Sequence, residues 1–338
     1  MKRKNEWAFR FLAVTLLLML PTMGIPSEGP SDWKPTKPIR MVVPQDPGSS
    51  YDLIARTISS GMGKILGQTV YVENMPGAGQ MLGTIYAYRA APDGHTLLYT
   101  GSTFLLLNQL TQGASYDYRK FEYLAQSFDS NLGLNGVVAS TKNGLKTWSD
   151  VLNLNRPVRF ADPGKGSPAH LTSLALAKAY NLKAVYLTGF KGPESIMAVV
   201  RGECDLNSVP PAMWKAYVQS GDLSVVLWTS LKPLSDYSSE DVGWIPPNTP
   251  WIVQLGHPEV PQTAGTTHLV IAPPGTPKRI VDTLRSAAYT AISSEETKGF
   301  FKKMNMFPSY GPLGDPKEIE KSLSKSWDKM KELEHLLK

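Results

Sequence analysis

From residue 37 onward, short apolar runs alternate with longer stretches whose apolar residues recur every three or four positions. IRMVV (39–43) reads as a strand, and YDLIARTISSGMGKILG follows it. There Ile54, Ile58, Met62 and Ile65 mark one helical face, and Gly67 is placed for the C-cap. TVYVEN (69–74), QMLGTIYAYRAA and HTLLYTG (95–101) continue the series as strand, helix and strand. Strands joined through helices run parallel, so this order predicts an α/β unit with a mainly parallel sheet and helices on both faces.

The alternation then resumes. LNGVVAST (134–141) is strand-like, and TWSDVLN opens a helix with Thr147 as N-cap and Asp150 at the third helical position. VRFAD, a helix from Pro168, KAVYLT (183–188), a helix from Pro193 and CDLNSV complete a second unit. HLVIAPPGTP (268–277) returns as a strand before the helix KRIVDTLRSAAYTAI. A last helix from Pro316 carries Ile319, Leu323, Trp327, Met330 and Leu333 as a core-facing stripe rather than a cofactor box. At 338 residues and 42% hydrophobic content, the chain has enough apolar material for two lobes, each with its own core. The expected division is lobe 1 from 37–135 and 265–338, and lobe 2 from 136–264. Ligands of open α/β sheets sit beyond the carboxyl ends of strands, in the loops that follow. That selects the loops after IRMVV, TLLYT, VRFAD and AVYLT.

Composition excludes several function classes. The net charge of +6 is mild and scattered, with no basic block to form a nucleic-acid groove. Residues 1–30 place Lys2–Lys4 before an apolar run from Phe11 to Leu20 and then small, turn-forming residues. This is the layout of a signal peptide cleaved within 22–30, and a run of ten residues falls short of the roughly 20 that cross a bilayer. No cysteine follows that run to carry acyl chains, so a soluble, periplasmic protein without a lipid anchor is expected. Cys204 is the sole cysteine, so an internal disulfide is excluded, and it reads as a small buried residue. With five scattered histidines and one cysteine, no metal site is expected.

The glycine-rich loops carry the chemistry. PGKGS fails as a P-loop, because Arg159 stands where the first glycine belongs and Gly166 follows Lys165. PGAGQMLG spaces Gly77, Gly79 and Gly83 as G-x-G-x-x-x-G with no acidic residue near Thr100, and reads as a turn with close backbone packing. Neither a G-x-S-x-G elbow nor HExxH occurs. Ser167 and His170 suit an N-cap and the third helical position, with Pro168 between them, better than a nucleophile and base. An anion site survives. The helices entered through Gly164–Ser167 and through Gly48–Ser50, the second with Asp52 in its first turn, present free backbone N–H groups at their positive ends. By themselves these residues leave two readings open, a two-helix clamp on one small carboxylate or two ordinary β–α turns.

Six ordered segments favour the clamp: KPIRMVVPQDPGSSYDLIAR, VENMPGAGQMLGT, AAPDGHTLL, FADPGKGSPAHL, GFKGPESIMAVVRGECDL and IAPPGTPKRIVDTL. Together, over about 37–330, they resemble the solute-binding receptors of tripartite tricarboxylate transporters, the Bug or TctC-like family. The resemblance implies a two-lobed periplasmic-binding-protein (Venus-flytrap) fold, acting as a monomer, that closes over a small organic acid. It implies delivery of that acid to a membrane permease of one large and one small subunit, with no cofactor and no catalytic residue. Carried over by motif, the ligand-binding positions are Gln45, Asp46, Gly48, Ser49, Ser50 and Asp52; Gly101, Ser102 and Thr103; Lys165, Gly166, Ser167 and His170; and Phe190 with Lys191. The chain departs from the family pattern at Asp46, Asp162 and Lys165. Asp46 and Lys165 either pair across the cleft or each meet a charge on a zwitterionic or polar ligand. A sensory receptor of the same fold, signalling through a partner protein, is the alternative function. An extracytoplasmic hydrolase or lyase using His170 is a third.

Overall fold

The computed structural model describes residues 33–338 apart from 131–132, 163, 165–166, 191, 209–212, 305 and 338. The leader expected at 1–30 therefore lies outside the described residues, as do Lys165, Gly166 and Lys191. In chain order the first elements are β1 (Ile39–Val43), α1 (Ser50–Leu66), β2 (Val70–Asn74), α2 (Met81–Tyr88), β3 (Thr96–Gly101), α3 (Ser102–Thr111) and β4 (Glu122–Asp129). Then come β5 (Gly136–Ser140), α4 (Trp148–Leu152), β6 (Val158–Asp162), α5 (Pro168–Ala179), β7 (Ala184–Thr188), α6 (Gly192–Val200), β8 (Leu206–Asn207), α7 (Lys215–Gln219), β9 (Leu223–Trp228) and α8 (Ser239–Val242). The chain ends with α9 (Glu259–Ala264), β10 (Thr267–Ala272), α10 (Lys278–Ile292), α11 (Glu295–Lys303), β11 (Tyr310–Leu313), α12 (Pro316–Glu332) and α13 (Glu334–Leu337).

Two sheets result, ordered β11-β4-β10-β3-β1-β2 and β7-β6-β8-β5-β9. Both are mixed, where a mainly parallel pairing was expected. In the first, β1 runs parallel to β2 and β3, but β10 is antiparallel to β3 and β4, and β11 is antiparallel to β4. In the second, β6 is parallel to β7 and β8, while β5 is antiparallel to β8 and β9. For β10 the cause is the route of the chain between sheets. It leaves the first sheet after β4 and returns after β9, so β10 starts where β3 and β4 end. Thr267 faces Asp129, and His268 faces both Gly101 and Phe128. A strand that starts there has no choice but to run backwards.

Local signals hold where they are strongest. Ser49 caps α1, and Gly67 ends it at φ 65° in the left-handed region. Ile54, Ile58 and Met62 are fully buried, but Ile65, in the last turn, is half exposed. Thr147 and Asp150 form the expected capping box. Gly77, Ala78, Gly79 and Gln80 all have positive φ, and a Cβ at Gly83 would lie 2.9 Å from the Met75 carbonyl, so PGAGQMLG is the close-packed turn.

Packing is less separate than two lobes with private cores. One apolar cluster lies against the first sheet under α1 and α10, including Ile54, Ile58, Leu284 and Ala288. A second lies against the second sheet, around Val138, Ile196 and Trp214. A third joins them, running from Leu105 and Leu323 through Val260 to Leu171 and Phe160. Helix α5 makes this possible because every residue from Ala169 to Ala177 is buried, leaving both of its faces to pack. Among the described residues, no helix is long and apolar enough to cross a membrane.

Candidate functional site

A cavity of 380 Å³ lies between the sheets, lined from one side by Gln45, Ser50, Tyr51, Phe104, Phe128 and His268 and from the other by Ser167, Pro168, Ala169, Thr172, Ser208 and Thr229. Its size suits a small ligand. A larger open groove of 970 Å³ runs beside β9, Trp148 and Leu255, but none of the glycine-rich β–α loops reaches it.

The N-termini of α1 and α5 both open into the smaller cavity. Capping sets which of their donors remain. The Ser49 hydroxyl accepts from the Asp52 amide at 3.3 Å, and the Ser167 hydroxyl accepts from the His170 amide at 3.2 Å. Each cap thus satisfies the third helical N–H and leaves the first two. For α1 these are Ser50 and Tyr51. For α5 the first residue is Pro168, which has no N–H, so Ala169 alone remains. No described residue accepts from these three amides, and all three residues line the cavity.

The loop entering α1 is held by a buried carboxylate. Asp52 accepts from the Gly48 amide at 2.9 Å, from Asn74 Nδ2 at 2.9 Å and from Arg56 Nε at 3.0 Å. Asn74 also donates to the Gln45 carbonyl at 3.0 Å. Burial opposes ionisation of Asp52, but the bonds from Arg56, Gly48 and Asn74 outweigh it and hold the carboxyl below its usual range. A comparable anchor ties β6 to α5. His170 Nδ1 donates to Asp162 at 2.8 Å, and Ser173 donates to the other carboxylate oxygen at 2.8 Å.

Four aromatic rings form the floor. His268 stacks between Tyr51, at 3.9 Å between ring centroids, and Phe128, at 4.3 Å, and Phe104 meets Tyr51 edge-on at 6.5 Å. Burial pushes the His268 imidazole down to about 3 and the Tyr51 hydroxyl up to about 12, so both are neutral at ordinary pH. The Tyr51 hydroxyl lies where a Cβ on residue 101 would come within 2.3 Å of it, which is why residue 101 is glycine.

The fifteen positions expected to bind ligand separate accordingly. Gln45, Ser50 and Ser167 line the cavity. Ser49, Gly48 and Asp52 shape the first loop without lining it, and Asp46 is exposed outside the lining. Gly101 is a packing position. Ser102 accepts from the Thr267 amide at 2.9 Å and Thr103 donates to the Gly265 carbonyl at 3.2 Å, so both brace the cavity wall from behind. His170 is buried against Asp162, and Phe190 packs on the core around Ile196. Lys165, Gly166 and Lys191 lie outside the described residues. Ser167 and His170 meet through a backbone N–H, with the imidazole turned to Asp162, which is not the geometry of a nucleophile and its base. Cys204 is buried, and burial pushes its thiol up to about 11.

Sequence reasoning missed the floor. His268 entered it only as the first residue of a strand and one of five scattered histidines, and β4, which carries Phe128, was not read as a strand. The usable signal was the burial-compatible run EYLAQSFD, with an aromatic, Phe128, one residue from the strand's carboxyl end.

Two mixed α/β sheets with a cavity at the strand ends define a protein of the periplasmic-binding-protein fold. Solved structures agree. MatC from Rhodopseudomonas palustris with bound malate superposes with a TM-score of 0.62 at 21% identity, covering 90% of this chain and 100% of that one. A second R. palustris protein, with adipate, gives 0.65 at 17% identity, covering 90% and 98%. The family model for the tripartite tricarboxylate transporter family receptor matches residues 54–333, and the chain belongs to that family of solute-binding receptors. It is 31% identical over 311 residues to Protein BugT of Bordetella pertussis, across 88% of this chain and 89% of that one.

Proposed function

We propose that this protein captures a small organic acid in the cavity between its sheets and delivers it, outside the cytoplasm, to a membrane permease with one large and one small subunit. The observation that carries the reading is the convergence of three free backbone donors, Ser50, Tyr51 and Ala169, from two helix N-termini on one cavity. Helix N-termini attract anions without any basic side chain. The carboxylate ligands named for the malate and adipate structures support the same class. No catalytic residue is assigned, because the buried Asp162–His170 pair is spent on holding α5 in place.

Residues 37–135 with 265–338, and 136–264, would move as the two lobes, the protein acting as a monomer. The crossing segments support this placement of the hinge. Ser130 donates its amide to the Thr266 carbonyl at 2.9 Å and accepts the Thr266 amide on its hydroxyl at 2.8 Å, beside the cavity. Closure then follows from a ligand that touches both sides. The test is calorimetric titration of ligand-stripped protein with carboxylic acids and with their primary amides. Acids should bind and the matched amides should lose at least about tenfold. Equal binding of acid and amide refutes the carboxylate reading.

A further inference from the structure

The cavity's donor count and its floor point to a narrower ligand class. We infer that the acid is a flat aromatic monocarboxylate of the benzoate or phenylacetate type, held with its carboxylate at the α1 and α5 termini and its ring against Phe104 and Phe128. This rests on the acid-binding reading above and deepens it.

Charge is the first argument. A helix N-terminus carries the equivalent of about half a unit charge, so two termini offset roughly one carboxylate. Among the described lining residues, which do not include Lys165 and Lys191, there is no lysine or arginine to meet a second. His268 does not supply it, since burial between two rings keeps it neutral. A second carboxylate taken out of water without a partner is strongly disfavoured.

The donor inventory agrees. Pro168 reduces the α5 terminus to the single Ala169 amide, against two at α1. Two of the hydroxyls on the second-sheet side are already committed: Thr172 donates to the Pro168 carbonyl at 3.0 Å and Ser208 donates to the Ala169 carbonyl at 3.2 Å. Those two hydroxyls have no proton to offer a hydroxylated acid, whereas an aromatic body asks for none.

Shape completes the case. Phe128, His268, Tyr51 and Phe104 come from four different elements and form one continuous aromatic run. Phe104 and Phe128 stay partly exposed and line the cavity, ready to take another ring. Ring pairs favour offset-stacked or edge-to-face contact, which this run offers to a planar guest.

The experiment titrates ligand-stripped protein with benzoate, phenylacetate, benzamide, malate, adipate and citrate. The expected result is that an arylcarboxylate binds at least about tenfold tighter than the three polycarboxylates. Its ring protons should shift upfield in the NMR spectrum on binding, a readout that needs no variant. Phe104→Leu should weaken the arylcarboxylate about threefold to tenfold. Polycarboxylates binding as tightly as arylcarboxylates would overturn this inference and leave the acid-binding reading standing. So would an arylcarboxylate that binds without ring-current shifts and is indifferent to Phe104→Leu. Benzamide matching benzoate, or no acid binding at all, would overturn both.

Discussion

Asp52 tests whether the first loop is built by its carboxylate. It is 2% exposed and gathers the Gly48 amide, Asn74 and Arg56, and Asn74 reaches on to the Gln45 carbonyl. Asp52→Ala removes acceptors from two neutral donors. Hydrogen bonds to an ionised group contribute about 1.5–3 kcal/mol each where water cannot replace them. Gly48 is exposed and recovers much of its share from solvent, and Arg56, with its side chain half exposed, contributes less than about 1 kcal/mol. The expected loss is about 2–3 kcal/mol, and Asp52→Asn, which keeps one acceptor, should lose about half of that. Urea denaturation followed by far-UV circular dichroism reads it as a lower midpoint with an unchanged slope. The pH dependence is a second check. The folded carboxyl titrates below the ordinary unfolded value near 3.9, so its contribution is complete above about pH 4 and is lost as pH falls through the folded value. The stability gap between wild type and Asp52→Ala should therefore be flat from pH 8 to about 5 and narrow in stronger acid. A gap under about 0.5 kcal/mol at pH 7, or one that does not narrow at low pH, refutes the assignment.

Gly101→Ala puts a Cβ within 2.3 Å of the Tyr51 hydroxyl, and overpacking of this kind costs about 1–3 kcal/mol; a thermal melt should drop, and near-UV dichroism should report a displaced Tyr51. His268 is held neutral while its unfolded counterpart protonates below about 6.5, so between pH 7 and 4.5 the wild type should lose about 2–3 kcal/mol that His268→Phe does not; parallel pH slopes for the two proteins would contradict this. Cys204, buried and with its thiol pushed up to about 11, should react with a disulfide reagent only as fast as the protein unfolds, and a burst of labelling in the native state would show otherwise.

The sequence was most legible where local rules act alone. Caps at Thr147 and Ser167, the terminator Gly67 and the apolar stripes of α1 and α12 depend on residues within one or two turns of each other. Pairing direction was misread because it depends on where the chain re-enters a sheet, and nothing within THLVIA says that it begins at the ends of β3 and β4. Position in a motif also failed to separate residues that line the cavity from residues that build it. Asp52, Ser102, Thr103 and His170 occupy motif positions, yet their polar groups hold the fold around the cavity. The floor was invisible for the opposite reason. Tyr51, Phe104, Phe128 and His268 are spread over 218 positions of the chain and share no local pattern.

Capping and binding draw on the same few donors, and the two helix entrances divide them differently. At each entrance a serine takes the third amide, which fixes the helix and leaves the first two amides to whatever sits beyond it. At α1 the next residues are Ser50 and Tyr51, so two donors survive, and Tyr51 is at once a donor from its backbone and part of the floor through its ring. At α5 proline follows the cap and removes one donor while pre-setting the helix. The first entrance can therefore meet both oxygens of a carboxylate, and the second can add only one further bond. Donors and aromatic surface therefore meet at the start of α1, where Ser50 and Tyr51 line the cavity and the Tyr51 ring stacks on His268. A ligand with one charged end and one flat apolar end is the shape that this division leaves open.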